Sequence, residues 1–154
     1  MSSKENELLR LENLNPVAKK KSYGKTNRNK GHNGERELAA LFREETPFDK
    51  CCTTRNSSRL LDSCKIDLNF IPLNVQSKVG KQKAMKPVRE LQMMTEELQN
   101  KIPETDPQHG YPKLVIHKKP GAKKVRIEFD TIVTMTLTDF MKIFKLAYPK
   151  KTKE

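Results

Sequence analysis

The chain has 154 residues, and its 31 Lys and Arg outnumber its 19 Asp and Glu, so the formal net charge is +12 at pH 7. Only 34% of the residues are hydrophobic, and no apolar run approaches the ~20 residues that cross a bilayer, which excludes a membrane span and a typical secreted precursor. This length predicts one domain with a single core. The positive surplus favours a polyanionic partner, because Lys and Arg that contact phosphates release condensed counterions.

The three cysteines, Cys51, Cys52 and Cys64, argue against two kinds of stabilising site. Their number is odd and two of them are adjacent, which does not fit a disulfide framework. No spacing of Cys and His residues matches a zinc site. The pattern therefore predicts a reducing, cytoplasmic environment.

Positive charge is concentrated at the two ends of the chain. Residues 1–30 contain a lysine triplet at 19–21 and no sustained apolar period, which predicts a basic flexible N-terminal arm. Residues 149–154 form a second, shorter basic tail. The folded domain is therefore expected to span residues 31–148.

Helical and strand periodicities follow one another within this domain. Apolar residues at three- and four-residue spacing predict helices, and alternation predicts strands. In chain order, the predicted elements are a helix over 35–45, strands over 51–55, 65–71 and 74–79, a helix over 88–101, strands over 113–119 and 125–135, and a helix over 139–147. The first helix is opened by the capping segment Asn33-Gly34. The last helix is capped by Thr138 and is predicted to bury Phe140, Ile143 and Phe144. This order predicts an α/β fold with a mixed sheet flanked by helices.

The two middle strands are expected to pair in antiparallel fashion across Pro72, and their polar faces carry the first candidate site. Alternation places Asp67 on the polar face of the first strand, and Gln76 and Lys78 on that of the second. If the chain turns at Pro72, Asp67 lies directly across from Gln76 and diagonally from Lys78, with Cβ atoms within ~4.5–8 Å. The opposite, apolar faces carry Ile66, Leu68 and Phe70 on the first strand and Val75, Ser77 and Val79 on the second.

A carboxylate, an amide oxygen and an ammonium that converge in this way suit phosphodiester hydrolysis. The oxygens can hold a hard cation such as Mg²⁺, while the ammonium orients or activates water and offsets phosphate charge. Glu35 can supply more anionic oxygen, because it lies at the end of the apolar stripe of its predicted helix. Glu37 is rotated away from that stripe and is expected to be solvated.

These residues resemble motifs of the PD-(D/E)XK nuclease superfamily, and within it the archaeal-type Holliday junction resolvases. Residues 30–38, Lys-Gly-His-Asn-Gly-Glu-Arg-Glu-Leu, are similar to the opening helix of the family, whose first Glu maps to Glu35. Residues 65–68, Lys-Ile-Asp-Leu, resemble the metal-binding Asp motif. Residues 74–78, Asn-Val-Gln-Ser-Lys, resemble the Glu-x-Lys motif, with Gln76 where a Glu is usual.

The resemblance implies a restriction-endonuclease-like fold and a Mg²⁺-dependent endodeoxyribonuclease that cleaves branched DNA, with Mn²⁺ as a possible substitute. The family acts as a homodimer, and residues 112–119 look like those of small phage-encoded members, which implies the cytoplasm of a bacterial or phage-infected host. The implied catalytic residues are Glu35, Asp67, Gln76 and Lys78, and the implied metal ligands are Glu35, Asp67, Gln76 and the carbonyl oxygen of Ser77. The implied DNA contacts are Arg55 at the end of a strand, Ser63 near the active centre, Lys30, Arg36, Lys81 and Lys83.

Other interpretations remain open at this point. Asp67 can be a strand-edge carboxylate paired with a lysine, Glu35 an acid favoured by the helix dipole, and Arg55 an ordinary surface charge. A nuclease of the same fold can act on linear duplex DNA in repair or restriction. The alternative from another class is a non-catalytic nucleic-acid-binding protein that has lost the metal, for which Gln76 is the best sequence evidence.

Overall fold

The structure is a computed structural model that describes residues 23–81, 86–119 and 131–148. Within these ranges the chain forms five α-helices, five strands and one 3₁₀ turn. The helices are α1 (Tyr23–Glu45), α2 (Thr54–Ser57), α3 (Arg59–Ser63), α4 (Pro87–Lys101) and α5 (Leu137–Ala147), and the 3₁₀ turn is Pro107–Gly110. The strands are β1 (Cys52–Thr53), β2 (Leu68–Asn69), β3 (Asn74–Val79), β4 (Lys113–Lys118) and β5 (Thr131–Met135). None of the described helices combines the length and apolarity that a bilayer crossing requires.

The strands form two small sheets, one of them mixed. In the larger sheet the order is β3-β4-β5, with β3 parallel to β4 and β4 antiparallel to β5. The parallel register runs from Asn74 opposite Lys113 to Val79 opposite Lys118. In the smaller sheet β1 and β2 are antiparallel. The predicted mixed α/β class is therefore confirmed.

The predicted antiparallel pairing of strands 65–71 and 74–79 is wrong. β2 is reduced to two residues and pairs with β1, while β3 pairs with β4. Lys65 and Phe70 have left-handed backbone, with φ of 64° and 62°, a conformation that interrupts an extended strand on both sides of β2. Phe70, predicted to be buried, is consequently turned outward and is 57% exposed.

Helix α1 begins at Tyr23 instead of Glu35, so residues 23–30 of the predicted arm are helical. Gly34 is not a capping residue but lies inside the helix, where α1 crosses β3. A Cβ atom at Gly34 would lie 2.7 Å from Cγ2 of Val79, so the absence of a side chain permits the close approach. Residues 1–22 and the predicted tail 149–154 lie outside the described residues.

The C-terminal helix also differs from its prediction. Its cap is Thr136, not Thr138, and the Thr136 hydroxyl accepts a hydrogen bond from the Asp139 backbone N–H at 3.1 Å. Ile143 packs against the core as predicted, but Phe140 and Phe144 are 46% and 44% exposed. Of the predicted strand over 125–135, β5 is described, and residues 125–130 lie outside the described ranges.

The core consists of two hydrophobic clusters. One cluster joins α1 to the sheet through Leu38, Ala39, Val75, Leu114 and Ile116, together with Cys51, Leu68 and Ile71. The second cluster joins α4 to the segment before β2 through Cys64, Ile66, Met94, Leu98 and Ile102. All three cysteines are free thiols, in agreement with the sequence prediction. The larger sheet thus lies between α1, which packs on β3, and α4, which packs on β4, with β4 as its middle strand and β3 at one edge.

The packing of α1 on the larger sheet can be tested by truncating Leu38, which is 2% exposed. Leu38→Ala should lower the free energy of unfolding by ~2–5 kcal/mol, because it removes buried methyl groups and leaves a cavity. Leu146→Ala on α5 is the control, since Leu146 is 83% exposed and should change stability by less than ~0.5 kcal/mol. Urea denaturation measures both, and equal effects would contradict the packing described here.

Candidate functional site

Asp67 is held against the edge of β3 that faces away from β4. Its backbone N–H donates to the carbonyl oxygen of Val75 at 2.7 Å, and its carboxylate Oδ2 accepts from the backbone N–H of Ser77 at 2.7 Å. Its own carbonyl oxygen accepts from the Thr54 backbone N–H at 3.0 Å. Asp67 therefore lies at the edge of β3 beside Val75 and Ser77, the two residues that flank Gln76.

The carboxyl group of Asp67 is strongly perturbed. Burial raises its pKa from 3.8 to about 7, and the negative charge of Glu35 acts in the same direction. The hydrogen bond from Ser77 N–H and the positive charge of Lys78 act against this shift, but they do not outweigh the loss of hydration. A perturbed carboxyl group between an acid and a lysine is typical of functional sites.

Glu35 reaches the site from α1 and is 8% exposed, as its place on the apolar stripe predicted. Its Oε1 lies 3.3 Å from Nη2 of Arg55, which belongs to helix α2 and not to the end of a strand as predicted. Beside this ion pair is a small cleft of about 20 Å³ that is also lined by Arg36. The predicted solvated residue Glu37 is instead half-buried and forms an ion pair with the buried ammonium of Lys118.

Gln76 and Lys78 lie on the face of β3 that is turned toward α4. Lys78 Nζ lies 3.3 Å from Oε2 of Glu90, in the first turn of α4. Gln76 is 3% exposed. In the amide orientation that satisfies both neighbours, Gln76 donates to Glu90 Oε2 at 3.0 Å and accepts from Lys78 Nζ at 3.3 Å. The predicted proximity of Gln76 and Lys78 is present, but both side chains contact an acid that the sequence motifs did not include.

The predicted site residues therefore lie on both faces of β3. Ser77 and Val79 face α1, the helix that carries Glu35, whereas Gln76 and Lys78 face α4. Asp67 lies at the strand edge and interacts electrostatically with both Glu35 and Lys78. Asp67 thus interacts electrostatically with Glu35 from one side of β3 and with Lys78 from the other, while the Gln76 amide is directed to Glu90.

The donor set fits a hard divalent cation. Glu35 and Asp67 offer carboxylate oxygens, which together with amide and backbone carbonyl oxygens are the ligands that Mg²⁺ prefers. The raised pKa of Asp67 shows that Lys78 and the Ser77 N–H do not fully compensate its negative charge in this partly buried position. A cation would supply the missing compensation.

The predicted DNA contacts lie in different places. Lys30 and Lys81 are exposed and line one cleft of about 400 Å³ at the carboxyl ends of β3 and β4, together with Lys118 and Lys119. The Ser63 hydroxyl donates to the carbonyl oxygen of Leu60 at 2.8 Å, within its own helix α3. Arg36 is exposed beside Glu35. Lys83 lies outside the described residues.

Two neighbours of the site were missed by the sequence analysis. Glu90 lies fourteen positions beyond Gln76 in the sequence and belongs to another element, so none of the motifs includes it. His117 is 7% exposed and lies opposite Lys78 in the parallel register. In the sequence, Pro87 and the helical spacing that follows it locate the first turn of α4. The sequence does not show which face of the sheet this turn covers.

Comparisons with protein-family models, with curated proteins and with solved structures found no match. The candidate site therefore depends on the residues and contacts described above.

The raised pKa of Asp67 predicts how the stability of the metal-free protein depends on pH. The unfolded chain loses this proton near pH 4, whereas the folded chain keeps it until about pH 7. The free energy of unfolding therefore falls as the pH rises from 4 to 7, and Asp67 causes no further fall above pH 7. Asp67→Asn removes the loss and retains an oxygen for the Ser77 N–H. At pH 8 in EDTA, Asp67→Asn should raise the free energy of unfolding by on the order of 1–3 kcal/mol.

Urea denaturation between pH 4 and pH 8 measures this gain, which should vanish near pH 4. Asp49→Asn is the matched control, because Asp49 is exposed. A lower stability of Asp67→Asn at pH 8, or a difference that does not depend on pH, would contradict the assigned environment.

Proposed function

We propose that this protein is a metal-dependent endodeoxyribonuclease of restriction-endonuclease-like fold that hydrolyses phosphodiester bonds in branched DNA, such as Holliday junctions. The observation that carries the proposal is the environment of Asp67, whose carboxylate is fixed by the Ser77 N–H at 2.7 Å between the charges of Glu35 and Lys78. These residues come from the three motifs on which the resemblance depends. Two acids that can hold a divalent cation and a lysine that offsets phosphate charge suit phosphodiester hydrolysis.

Asp67 and Glu35 would hold the cation, with the Ser77 carbonyl oxygen as a further ligand, whereas the Gln76 amide is directed to Glu90 and Lys78. A bound Mg²⁺ would supply Lewis acidity and lower the pKa of water. Lys78 would offset the charge of the scissile phosphate, since its side chain is 37% exposed and can reach a ligand outside the protein. Arg55 restrains Glu35 through their 3.3 Å ion pair, and its own side chain remains 44% exposed to a phosphate.

The lysine cleft at the carboxyl ends of β3 and β4 supports DNA as the substrate. It is lined by Lys30, Lys81, Lys118 and Lys119, and of these Lys118 is neutralised by Glu37. The cleft is also lined by residues of α1, the helix that carries Glu35, and Lys81 follows Lys78 by three positions in the sequence. Lysine contacts with a phosphate backbone contribute affinity without reading the base sequence.

A second candidate function is a non-catalytic nucleic-acid-binding protein. The specific observation in its favour is that the Gln76 amide and the Lys78 ammonium already contact Glu90, at 3.0 and 3.3 Å. In that case the lysine cleft would bind a phosphate backbone, and the contacts at β3 would only stabilise the fold. Cleavage assays separate the two functions.

Cleavage of matched Holliday junction, flap and linear duplex substrates in Mg²⁺ tests the proposal. The wild-type protein should cut the junction in preference to the linear duplex. Asp67→Asn should lower the cleavage rate by at least ~100-fold, because it removes a negative ligand, and should leave DNA affinity within about twofold. Retained cleavage by Asp67→Asn would overturn the assigned site. Equal cutting of all substrates would indicate a nuclease for linear DNA, and binding without cutting by the wild type would favour the non-catalytic function.

A junction resolvase makes two symmetric cuts, so the proposal includes a homodimer that supplies two sites related by twofold symmetry. This part rests on the family resemblance. Analytical ultracentrifugation of the protein on its own and with junction DNA measures it directly.

The lysine cleft makes a separate prediction about salt dependence. Lys81→Ala and Lys119→Ala should each weaken DNA binding and lower the slope of log K against log salt concentration by about 1, as expected for one lost phosphate contact. The control is Lys145→Ala, since Lys145 is exposed on α5 and does not line the cleft. Fluorescence anisotropy at several salt concentrations provides the slopes. Unchanged slopes in both cleft variants would place the DNA elsewhere.

A further inference from the structure

Helix α5 presents a stripe of large apolar side chains on its outer face. Ile143 packs against the core and Asp139 is 5% exposed, so these two residues mark the side of α5 that faces the protein. The α5 stripe lies on the other side and consists of five residues that are 38% to 75% exposed: Leu137, Phe140, Met141, Phe144 and Tyr148. Apolar residues exposed singly are ordinary on a protein surface, whereas a continuous row of them marks an interaction site.

The α5 stripe has the spacing at which helices pair with one another. Its residues at positions 137, 141, 144 and 148 are separated by four, three and four positions, as are the apolar residues of a coiled-coil heptad. The aromatic rings make the stripe continuous, because the ring centroids of Phe140 and Phe144 are 5.8 Å apart and those of Phe144 and Tyr148 are 4.8 Å apart. A second helix with the same spacing can therefore pack along it.

The exposed area of the α5 stripe matches what a symmetric dimer needs. Large apolar side chains bury up to ~250 Å² each, so the exposed fractions of these five residues correspond to roughly 600 Å² per copy. Two copies that cover each other's stripe would bury roughly 1,200 Å², which is the lower end of the range for stable protein–protein interfaces. The same stripe can serve both copies, as a twofold interface requires.

The low charge of α5 also favours a second copy as the partner. The chain as a whole carries a net charge of +12, so two copies repel each other wherever their basic surfaces meet. Helix α5 has two lysines and one aspartate among its 11 residues, and Lys142 is paired with Asp139 at 3.1 Å. Two copies can therefore approach through α5 with little repulsion. A membrane surface is a weaker candidate, because helices that lie in a membrane interface are rich in Lys and Arg.

Pairing through α5 is compatible with DNA binding at the candidate site. Strand β5, which leads into α5, lies at the edge of the larger sheet opposite β3. Asp67 lies at the outer edge of β3. A dimer that pairs through α5 would therefore leave the β3 edge of each copy open to a separate DNA strand.

We propose that the α5 stripe pairs with the same stripe of a second copy of the chain around a twofold axis. The choice of a second copy rests in part on the proposed function, since two symmetric cuts require two sites. The inference deepens that function by naming the surface that joins the two sites.

Sedimentation equilibrium of the full chain, alone and with junction DNA, tests the interface without relying on cleavage. Phe144→Ser and Leu137→Ser should each weaken dimerisation by at least ~10-fold, because every substitution occurs twice in a twofold interface. Leu146→Ser is the matched control, since Leu146 is 83% exposed on the same helix but lies outside the stripe. Serine leaves the net charge unchanged. Thermal unfolding checks that each variant is folded, and Leu137 is exposed enough for its variant to fold if Phe144→Ser does not.

The outcomes separate this inference from the proposed function. Weaker dimerisation of the two stripe variants, with the control unchanged, supports the interface even if the wild type does not cleave DNA. Equal dimerisation of the wild type and of folded stripe variants overturns the interface, and so does a wild type that is monomeric both alone and on the junction. Flotation of a monomeric wild type with anionic phospholipid vesicles, lost in Leu137→Ser, would assign the stripe to a membrane and overturn the dimer. Neither of these results affects the cleavage assay of the metal site.

Discussion

The hydrogen bond from the Ser77 backbone N–H to the Asp67 carboxylate is the interaction on which the site depends. It is 2.7 Å long, and a second bond of 2.7 Å from the Asp67 N–H to the Val75 carbonyl oxygen accompanies it. Together they attach the segment between α3 and β2 to β3, the edge strand of the larger sheet. These two hydrogen bonds hold the acidic side chain of Asp67 beside the larger sheet. The carboxylate loses hydration in this position, so the same contacts that locate Asp67 also perturb it.

The position of β3 between α1 and α4 determines which side chains can act together. Helix α1 covers one face of β3 and brings Glu35, and helix α4 covers the other face and brings Glu90. Side chains from α1 and α4 can interact with the same group only if that group lies at the edge of β3, between the two faces of the strand. Asp67 occupies that position, and Lys78 extends the charge interaction to the α4 side.

Periodicity located most of the helices and strands correctly, but it could not determine their partners. The bounds of β3, β4 and α4 agree closely with those predicted, because each has a long apolar pattern ended by Pro or Gly. The pairing of the segment around Asp67 was predicted wrongly, since left-handed backbone at Lys65 and Phe70 is not visible in an alternating pattern. Glu35, Asp67 and Lys78 were singled out through motifs, and the charges of Glu35 and Lys78 do act on Asp67. Glu90 could not be identified, because its relevance arises from the packing of α4 on the sheet.

The central claim is that Asp67 forms a metal site. A crystal of the protein soaked in Mn²⁺ and measured at the manganese absorption edge tests this claim most directly. The account predicts an anomalous peak at roughly 2.1–2.2 Å from an Asp67 carboxylate oxygen, a distance near that found for small divalent cations and oxygen ligands. A well-diffracting soaked crystal with no peak at Asp67, or with peaks only at other carboxylates, would contradict it.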